Sequence, residues 1–345
     1  MIDSSIIVIP KSDDSSSTSV KPITRSDRNP YRTPEGDVWL RPSWVVYLDI
    51  LGFRLAIREA AAAGKSFEHL ERLRSALTEA KTDLLGRLEM FDGYRLQLPD
   101  PYVVKVFTDN VVLGFPVADD GESEFGQMIS VVGLYQYTLL KHGFFVRGGI
   151  SFGNLYMDDD VVYGEGLLDA YEAESTLARD PRVVLAPSAM TLVHSHLAYY
   201  DKVATTPHNE HLLVDSDSQM FVNYLAIPID GIDPRGRLPR AYMRDLKSHR
   251  DLVMAKLSEF SEKPALWSKY VWVGIYHNLF CKQFIARKQP KVSATVLTQP
   301  ARRLAAVYRR KGSEILKNGR VVGEFKSVFA YKRQRPPSQT KRDPL

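Results

Sequence analysis

The feature that most limits how this chain can fold is an apolar stretch, residues 44–48, that runs directly into Asp49 and Gly52. Such a stretch is typical of a strand that is buried on both faces of a sheet. Burial does not explain Asp49, because an aspartate is almost never fully buried unless it is paired or bound to a cation. The stretch therefore predicts a central strand with a carboxylate at its tip, followed by a glycine turn and a helix from Phe53.

A second carboxylate, Asp109, interrupts another apolar stretch that covers residues 103–115. The pattern predicts two strands joined by a tight turn at residues 108–110. If this hairpin pairs beside the first strand, Asp49 and Asp109 converge. Two carboxylates beside a glycine backbone form a site of hard oxygen ligands, which suits Mg²⁺ or Mn²⁺ carrying a phosphate chain.

The remaining pattern predicts an α+β fold. Helical periodicity covers residues 53–63, 67–88, 128–142, 164–179, 188–200, 244–257 and 267–285, and strands are expected at 144–151, 182–186 and within 208–229. The order of strand, helix, hairpin, helix and strand predicts a ferredoxin-like sheet with helices on one face, followed by a helical C-terminal appendage.

Four segments are expected along the chain. Residues 1–40 are rich in serine, aspartate and proline and predict a disordered tail. Residues 41–240 form the main domain, 241–331 a helical extension, and 332–345 a basic disordered tail.

Composition excludes several classes of protein. The single cysteine, Cys281, excludes a disulfide framework and a cysteine-rich zinc site, and suits a reducing cytosol. No apolar run approaches the roughly 20 residues that are needed to span a bilayer. A cytoplasmic protein without membrane contact is therefore expected. The net charge of +5 lies largely in the C-terminal tail and argues only weakly for a polyanionic partner, so no specific nucleic-acid partner is expected. Four histidines between 194 and 211 fall in different predicted elements, which disfavours a zinc site.

Several motifs, in this order, resemble those of class III nucleotidyl cyclases, and most closely the pyrimidine cyclases of bacterial anti-phage (Pycsar) systems. The motifs are Asp49-Ile50-Leu51-Gly52-Phe53, Phe107-Thr108-Asp109-Asn110, Arg147-Gly148-Gly149-Ile150-Ser151-Phe152-Gly153, Gly164-Glu165-Gly166-Leu167-Leu168-Asp169-Ala170-Tyr171-Glu172-Ala173-Glu174, Lys269-Tyr270-x-Trp272 and Tyr276-His277-Asn278. The resemblance covers residues 42–286. Each motif alone is weak, whereas their order and spacing together are fairly specific.

The resemblance implies a two-metal site. Asp49 and Asp109, with the main-chain carbonyl of Ile50, are the expected ligands of two Mn²⁺ or Mg²⁺ ions. Backbone N–H groups of Ile50, Leu51, Gly52, Phe53 and Arg54 are expected to bind the phosphates, since a glycine turn that opens a helix favours anions. Arg54 stands where related enzymes have Thr or Ser, and its side chain adds a potential phosphate contact.

The other implied roles each have a plain structural alternative. Arg147 matches a phosphate-contacting arginine, or makes an ordinary salt bridge at a strand end. Lys105 matches a base-reading lysine, or is a solvated lysine of the hairpin. Tyr171 and Glu174 match the pyrimidine subgroup, where the carboxylate accepts from base or ribose, or forms a structural salt bridge.

One departure separates this chain from adenylyl and guanylyl cyclases. Those enzymes usually carry an asparagine and an arginine four residues apart on the helix that corresponds to residues 164–179 here. Leu168 and Glu172 occupy these places here, so a purine cyclase is disfavoured unless another arginine substitutes.

By resemblance, the expected protein is a homodimeric pyrimidine cyclase that converts UTP to 3′,5′-cyclic UMP and pyrophosphate. Its product would activate a separate effector protein in anti-phage signalling. The alternatives are a cytidylate cyclase that makes cCMP and a non-catalytic nucleotide-binding regulator with the cyclase fold.

Overall fold

The computed structural model describes residues 29–93, 103–107, 109–199, 208, 211–229 and 238–282, and four short strands between residues 308 and 327. For residues 84–93, 103–107, 198–199 and those four strands, it describes the backbone alone. The expected disorder of residues 1–28 and 332–345 falls outside the described residues, as does Thr108.

The described elements follow the predicted order. The strands are β1 (Arg41–Ile50), β2 (Val103–Phe107), β3 (Asn110–Pro116), β4 (Val146–Met157), β5 (Val162–Tyr163), β6 (Val183–Leu185), β7 (Leu212–Val214), β8 (Met220–Val222), β9 (Tyr308–Lys311), β10 (Glu314–Lys317), β11 (Arg320–Val321) and β12 (Lys326–Ser327). The helices are α1 (Phe53–Ala62), α2 (Ser66–Gly93), α3 (Glu122–Lys141), α4 (Glu165–Glu172), α5 (Pro187–Tyr199), α6 (Arg240–Glu259) and α7 (Pro264–Phe280), and a π-helical turn (Ala173–Leu177) continues α4.

The sheet is centred on β1. Its order is β2-β3-β1-β4-β6-β8-β7-β12, and β5 pairs with the end of β4. Strand β1 is antiparallel to both β3 and β4, and β4 is parallel to β6. The hairpin β2–β3 therefore lies beside β1, as the sequence predicts. Strands β9, β10 and β11 form a separate three-stranded sheet.

The two faces of β1 pack on different helices, because successive side chains of a strand point to opposite faces. One face, which includes Trp44 and Val46, packs with residues of α2, α3 and α5. The other face, which includes Val45 and Tyr47, packs with Ala170 of α4. The α+β class with a sheet flanked by helices is confirmed. The layering differs from the expectation of helices on one face, since α4 lies on the second face.

Helix α7 joins α4 on this second face. The rings of Trp272 and Tyr276 contact Phe221 of β8, with ring centroids 5.4 and 5.8 Å apart. The hydroxyl of Tyr276 donates to Asn223 Oδ1 at 2.7 Å and accepts from the backbone N–H of Leu225 at 3.0 Å. Helix α7 is therefore tied to the sheet by both packing and hydrogen bonds.

Residues 29–40 differ from the disordered tail predicted for residues 1–40. Tyr31 is completely buried, and its hydroxyl donates to Ser43 Oγ at 3.1 Å. The backbone N–H of Trp39 donates to the carbonyl of Tyr31 at 2.8 Å. A buried aromatic ring thus orders a segment whose polar composition predicts disorder.

Gly149 on β4 allows α4 to approach the sheet closely. A Cβ atom there would lie 2.1 Å from the carbonyl oxygen of Ala170 and 2.9 Å from the backbone nitrogen of Glu174. No side chain fits in that space. The glycine therefore sets the position of the turn that carries Tyr171 and Glu174.

Candidate functional site

Four of the predicted site residues meet where β1 ends. In the sheet, Asp49 lies directly between Asn110 of β3 and Arg147 of β4. Asp109 precedes β3 in the hairpin turn, and its carbonyl accepts a hydrogen bond from the backbone N–H of Ile50 at 3.2 Å. The two carboxylates predicted to converge are therefore neighbours at one edge of the sheet.

Arg147 joins two carboxylates from distant parts of the chain. Its Nε donates to Asp49 Oδ2 at 3.0 Å. Its Nη2 lies 2.8 Å from Oε1 of Glu174, whose side chain is only 4% exposed. That contact is an ion pair rather than a well-aligned hydrogen bond, since Glu174 Oε1 has no hydrogen-bond partner of good geometry. Both Arg147 and Glu174 thus form salt bridges within the site in this conformation.

Burial works against the charge on these carboxylates. Desolvation raises the pKa of Asp49 above its ordinary value; the Arg147 guanidinium opposes the shift and the Asp109 carboxyl adds to it. The pKa of Glu174 is also raised, first by burial and further by Asp49, while Arg147 and Lys269 lower it. A divalent cation between Asp49 and Asp109 would relieve this unfavourable accumulation of negative charge.

The donor set fits a divalent cation of the magnesium type. Such an ion is usually bound through one or two carboxylates and completes its coordination with substrate phosphates and water. Within the described part of the chain, no three or more histidine, cysteine, aspartate or glutamate side chains are grouped to hold a metal by themselves. Asp49 and Asp109 suit an ion that arrives with a phosphate ligand better than a closed structural site.

The turn from β1 into α1 has a left-handed glycine. Gly52 has φ 74° and precedes Phe53 at the start of α1. The first helical N–H groups have no partner within their own helix and favour an anion. Two of the five N–H groups predicted to bind phosphates are already used, because Ile50 donates to Asp109 and Leu51 donates to the Phe145 carbonyl at 2.8 Å. Gly52, Phe53 and the exposed Arg54 remain.

A chain of polar and aromatic contacts leads outward from Asp109. Asn110 Nδ2 donates to Asp109 Oδ1 at 3.3 Å, and the Tyr47 hydroxyl donates to Asn110 Oδ1 at 3.0 Å. The Tyr171 ring meets the Tyr47 ring edge-on, with centroids 5.3 Å apart, and Tyr171 is 52% exposed. Burial and the neighbouring carboxylates, Glu174 before Asp49, raise the pKa of Tyr47 to about 12. Tyr47 was missed by sequence reasoning, although its position two residues before Asp49 places it on the same face of β1.

Lys105 is described by its backbone alone. It lies in β2 opposite Val112, which in turn lies opposite Tyr47 of β1. This register places Lys105 in line with Tyr47 across the sheet. Its role as a reader of the base stays a prediction.

The two residues of α4 that depart from the purine-cyclase pattern are exposed. Leu168 is 67% exposed, and Glu172 is also exposed. Two of the histidines between 194 and 211 pack against aromatic rings: His208 stacks on Phe125 with ring centroids 4.9 Å apart, and His196 lies against Trp44.

Comparison with known proteins adds little to this geometry. No protein-family model matches the chain, and no curated protein matches it. Among solved structures, one match is a class III adenylyl cyclase-like ATP-binding protein from Pseudomonas aeruginosa, with a TM-score of 0.34 and 10% sequence identity. That match covers 45% of this chain and 35% of the other. No helix in the described segments combines the length and the apolar character needed to cross a bilayer.

Proposed function

We propose that this chain is a nucleotidyl cyclase that binds a nucleoside triphosphate with divalent cations at the end of β1. The observation that carries the proposal is the proximity of Asp49 and Asp109 beside the left-handed turn at Gly52. The order of sequence motifs that resemble those of class III cyclases also supports the proposal, because these motifs contain both carboxylates.

Different site residues would have different roles in such a reaction. Asp49, Asp109 and the Ile50 carbonyl would hold the ions, which supply activation of the ribose 3′ hydroxyl and neutralisation of charge at the α-phosphate. The N–H groups of Gly52, Phe53 and Arg54 bind the phosphates at the positive end of α1. Arg147 fixes the orientation of Asp49 through the 3.0 Å hydrogen bond. Cyclisation needs no covalent nucleophile; it needs the 3′ oxygen and the leaving pyrophosphate held in line.

The proposed substrate is a pyrimidine nucleotide, UTP, and the proposed product is cyclic UMP that acts on a separate effector protein in anti-phage defence. The support lies in the sequence: the motif that contains Tyr171 and Glu174 resembles the pyrimidine subgroup, and Leu168 and Glu172 replace the residues usual in purine cyclases. A cytidylate cyclase is the alternative with the same site.

The protein is proposed to act as a homodimer with its sites at the interface. Exposed apolar side chains on and beside α4 support this arrangement, since Tyr163 and Leu168 are each 67% exposed. Tyr171 connects that surface to the site through Tyr47.

The proposal is tested by incubating the pure protein with each of the four nucleoside triphosphates and Mn²⁺, and separating the products. We expect a cyclic nucleotide and pyrophosphate, both abolished by EDTA and restored by excess Mn²⁺. A protein that binds a nucleotide with metal but releases no pyrophosphate would instead be the non-catalytic regulator.

Asp49→Ala and Asp109→Ala should each abolish cyclisation and leave the fold intact, because each removes a metal ligand at the edge of the sheet. Asp159→Ala, at an exposed position of a turn, is the matched control and should retain full activity. Circular dichroism verifies folding. Substantial turnover by either site variant would refute the metal assignment.

A further inference from the structure

Lys269 occupies an unusual position on α7. Residues 269, 272, 273 and 276 follow one face of a helix at three- and four-residue spacing. Trp272, Val273 and Tyr276 on this face are buried, and Trp272 and Tyr276 pack on the sheet. Lys269 continues the same stripe and is partly buried. Partial burial of a lysine among apolar side chains costs free energy unless its charge is compensated by a partner or a ligand.

The part of α7 that carries Lys269 lies against the turn between β1 and α1. The Tyr270 ring contacts the Phe145 ring edge-on, with centroids 5.2 Å apart. The carbonyl of Phe145 accepts the hydrogen bond from Leu51 in that turn. Leu51 and Leu55 pack on the same apolar cluster as Tyr270. At the start of α7, Lys263 Nζ lies 3.3 Å from Glu59 Oε1 of α1.

The charge of Lys269 interacts with charged groups of the candidate site. Its ammonium group interacts electrostatically with Asp180, Asp49 and Glu174. Burial, followed by repulsion from Arg147, lowers its pKa, while the three carboxylates oppose that shift. Lys269 thus shares one electrostatic environment with the proposed metal ligand Asp49 and with Arg147.

The other buried cations nearby are already paired. Arg147 contacts Asp49 and Glu174, and Arg182 forms ion pairs with Asp215 and Asp217. In the portion of the chain that the structure describes, no carboxylate lies within ion-pair distance of Lys269 Nζ. A lysine that only neutralised Glu174 or Asp180 would be expected to close such a contact. The position instead suits an anionic ligand that approaches from the turn at Gly52.

We propose that Lys269 is a phosphate-binding residue of this site, whose ammonium group contacts the terminal phosphates of a nucleoside triphosphate bound at the β1–α1 turn. This inference rests on the proposed nucleotide site. It extends that site, because helix α7 would then contribute a residue to it. A lysine ammonium offers three donors and a compact charge, which are the properties used in phosphate binding. It would also supply positive charge that Leu168 and Glu172 do not.

The test measures binding of inorganic tripolyphosphate with Mg²⁺ by isothermal titration calorimetry, which needs no turnover. Lys269→Met keeps the length of the side chain and suits an apolar stripe, so the fold should persist. We expect the dissociation constant to rise by about tenfold or more, the loss typical of a hydrogen bond to a charged group. Lys269→Arg should restore most of the affinity. Lys263→Ala, at the residue that directly precedes the same helix and is paired with Glu59, should leave the affinity unchanged.

The outcomes separate this inference from the proposed function. Wild-type protein that binds no tripolyphosphate would overturn both. Wild-type binding with equal affinity in Lys269→Met would overturn the role of Lys269 and leave the nucleotide site in place. Equal losses in Lys269→Met and Lys269→Arg would also overturn it, because the charge would then not be what matters. Thermal unfolding of each variant without ligand identifies any loss that comes from stability alone.

Discussion

At the scale of single residues, Asp180 shows how burial acts on a carboxylate beside the site. Burial raises the pKa of Asp180 to about 6, with Asp215 and Asp217 adding to the shift and Arg182 and Lys269 opposing it. Between its ordinary value of 3.8 and about 6, the folded state binds more protons than the unfolded state. The contribution of this group to stability therefore falls as the pH rises across that window.

Asp180→Asn should consequently stabilise the protein at neutral pH. The shift corresponds to about 3 kcal/mol at most, and partial exposure reduces the expected gain to about 1 kcal/mol. The gain should be present at pH 7.5 and disappear near pH 4, as measured by urea unfolding at both values. Asp159→Asn, at an exposed position, is the control. A gain that is equal at the two pH values would contradict this origin.

Sequence reasoning found the residues of the site that depend on local pattern. Asp49 and Asp109 each break an apolar strand, so both stand out without a structure. The pairing of Arg147 with Glu174 could not be predicted, because it depends on the π-helical turn that displaces Glu174 and on the close approach at Gly149. Lys269 could have been recognised from the sequence, because it is a charged residue at the same helical spacing as the apolar stripe of α7.

At the scale of elements, the buried Tyr276 hydroxyl contributes two of the hydrogen bonds that hold α7 against the sheet. Tyr276→Phe removes the donor to Asn223 and the acceptor of the Leu225 N–H. The lost hydrogen bonds lie in the interior, and the change should lower the free energy of unfolding by about 2 kcal/mol. Tyr163→Phe is the matched control, since Tyr163 is 67% exposed. Urea unfolding followed by circular dichroism measures both, and an equal effect of the two changes would contradict the assigned role.

The boundaries of elements were predicted well where the local sequence decides them and poorly where tertiary packing does. Helix α1 was expected at residues 53–63 and covers Phe53–Ala62. Helix α3 was expected from Met128 but begins at Glu122, because Glu124 and Gln127, which look solvated in sequence, are buried. The position of α4 on the second face of the sheet depends on its close approach to Gly149. This approach to Ala170 is a tertiary contact, so the local sequence does not reveal it.

At the scale of the whole molecule, the proposed homodimer makes a prediction that can be measured directly. Leu168→Lys places a charge on the exposed apolar surface of α4, where dimer formation would bury it at a cost in free energy. We expect sedimentation to show a dimer for the wild type and a shift toward monomer for this variant, with activity lost in parallel. Ser75→Lys, at an exposed polar position of α2, is the control and should leave the dimer intact.

Shared sites would also allow two inactive variants to complement each other. If the metal ligands and Tyr171 serve one site from different chains, mixing Asp49→Ala with Tyr171→Ala should restore part of the turnover. On dilution, the wild-type activity should fall more steeply than linearly near the dimer dissociation constant. A fully active monomer at assay concentration would refute the shared site.

The choice of base depends on the polar groups that the site presents to the pyrimidine ring. Uracil has a carbonyl at position 4 and an N3–H donor, whereas cytosine has an amino donor and a bare N3 acceptor. A site for uracil therefore needs a donor facing position 4 and an acceptor facing N3. Lys105, in line with Tyr47 across the sheet, is the proposed donor. Glu174 is already held by Arg147, which favours a main-chain carbonyl as the acceptor.

If CTP bound to such a site, the amino group of cytosine would face the donor of the site, and buried polar groups would be left unpaired. Such a mismatch can lower kcat/KM by a factor on the order of 10⁴. We expect kcat/KM for UTP to exceed that for CTP, ATP and GTP. Lys105→Ala should reduce this preference more than it reduces metal binding, because Lys105 is proposed to contact the base and not the ions. Equal kcat/KM values for UTP and CTP, or an undiminished preference in Lys105→Ala, would show that Lys105 does not select the base.

Efficient CTP turnover without a UTP product would reverse the choice of base. It would leave the cyclase proposal standing, since the carboxylates at the end of β1 act on the phosphates and not on the ring.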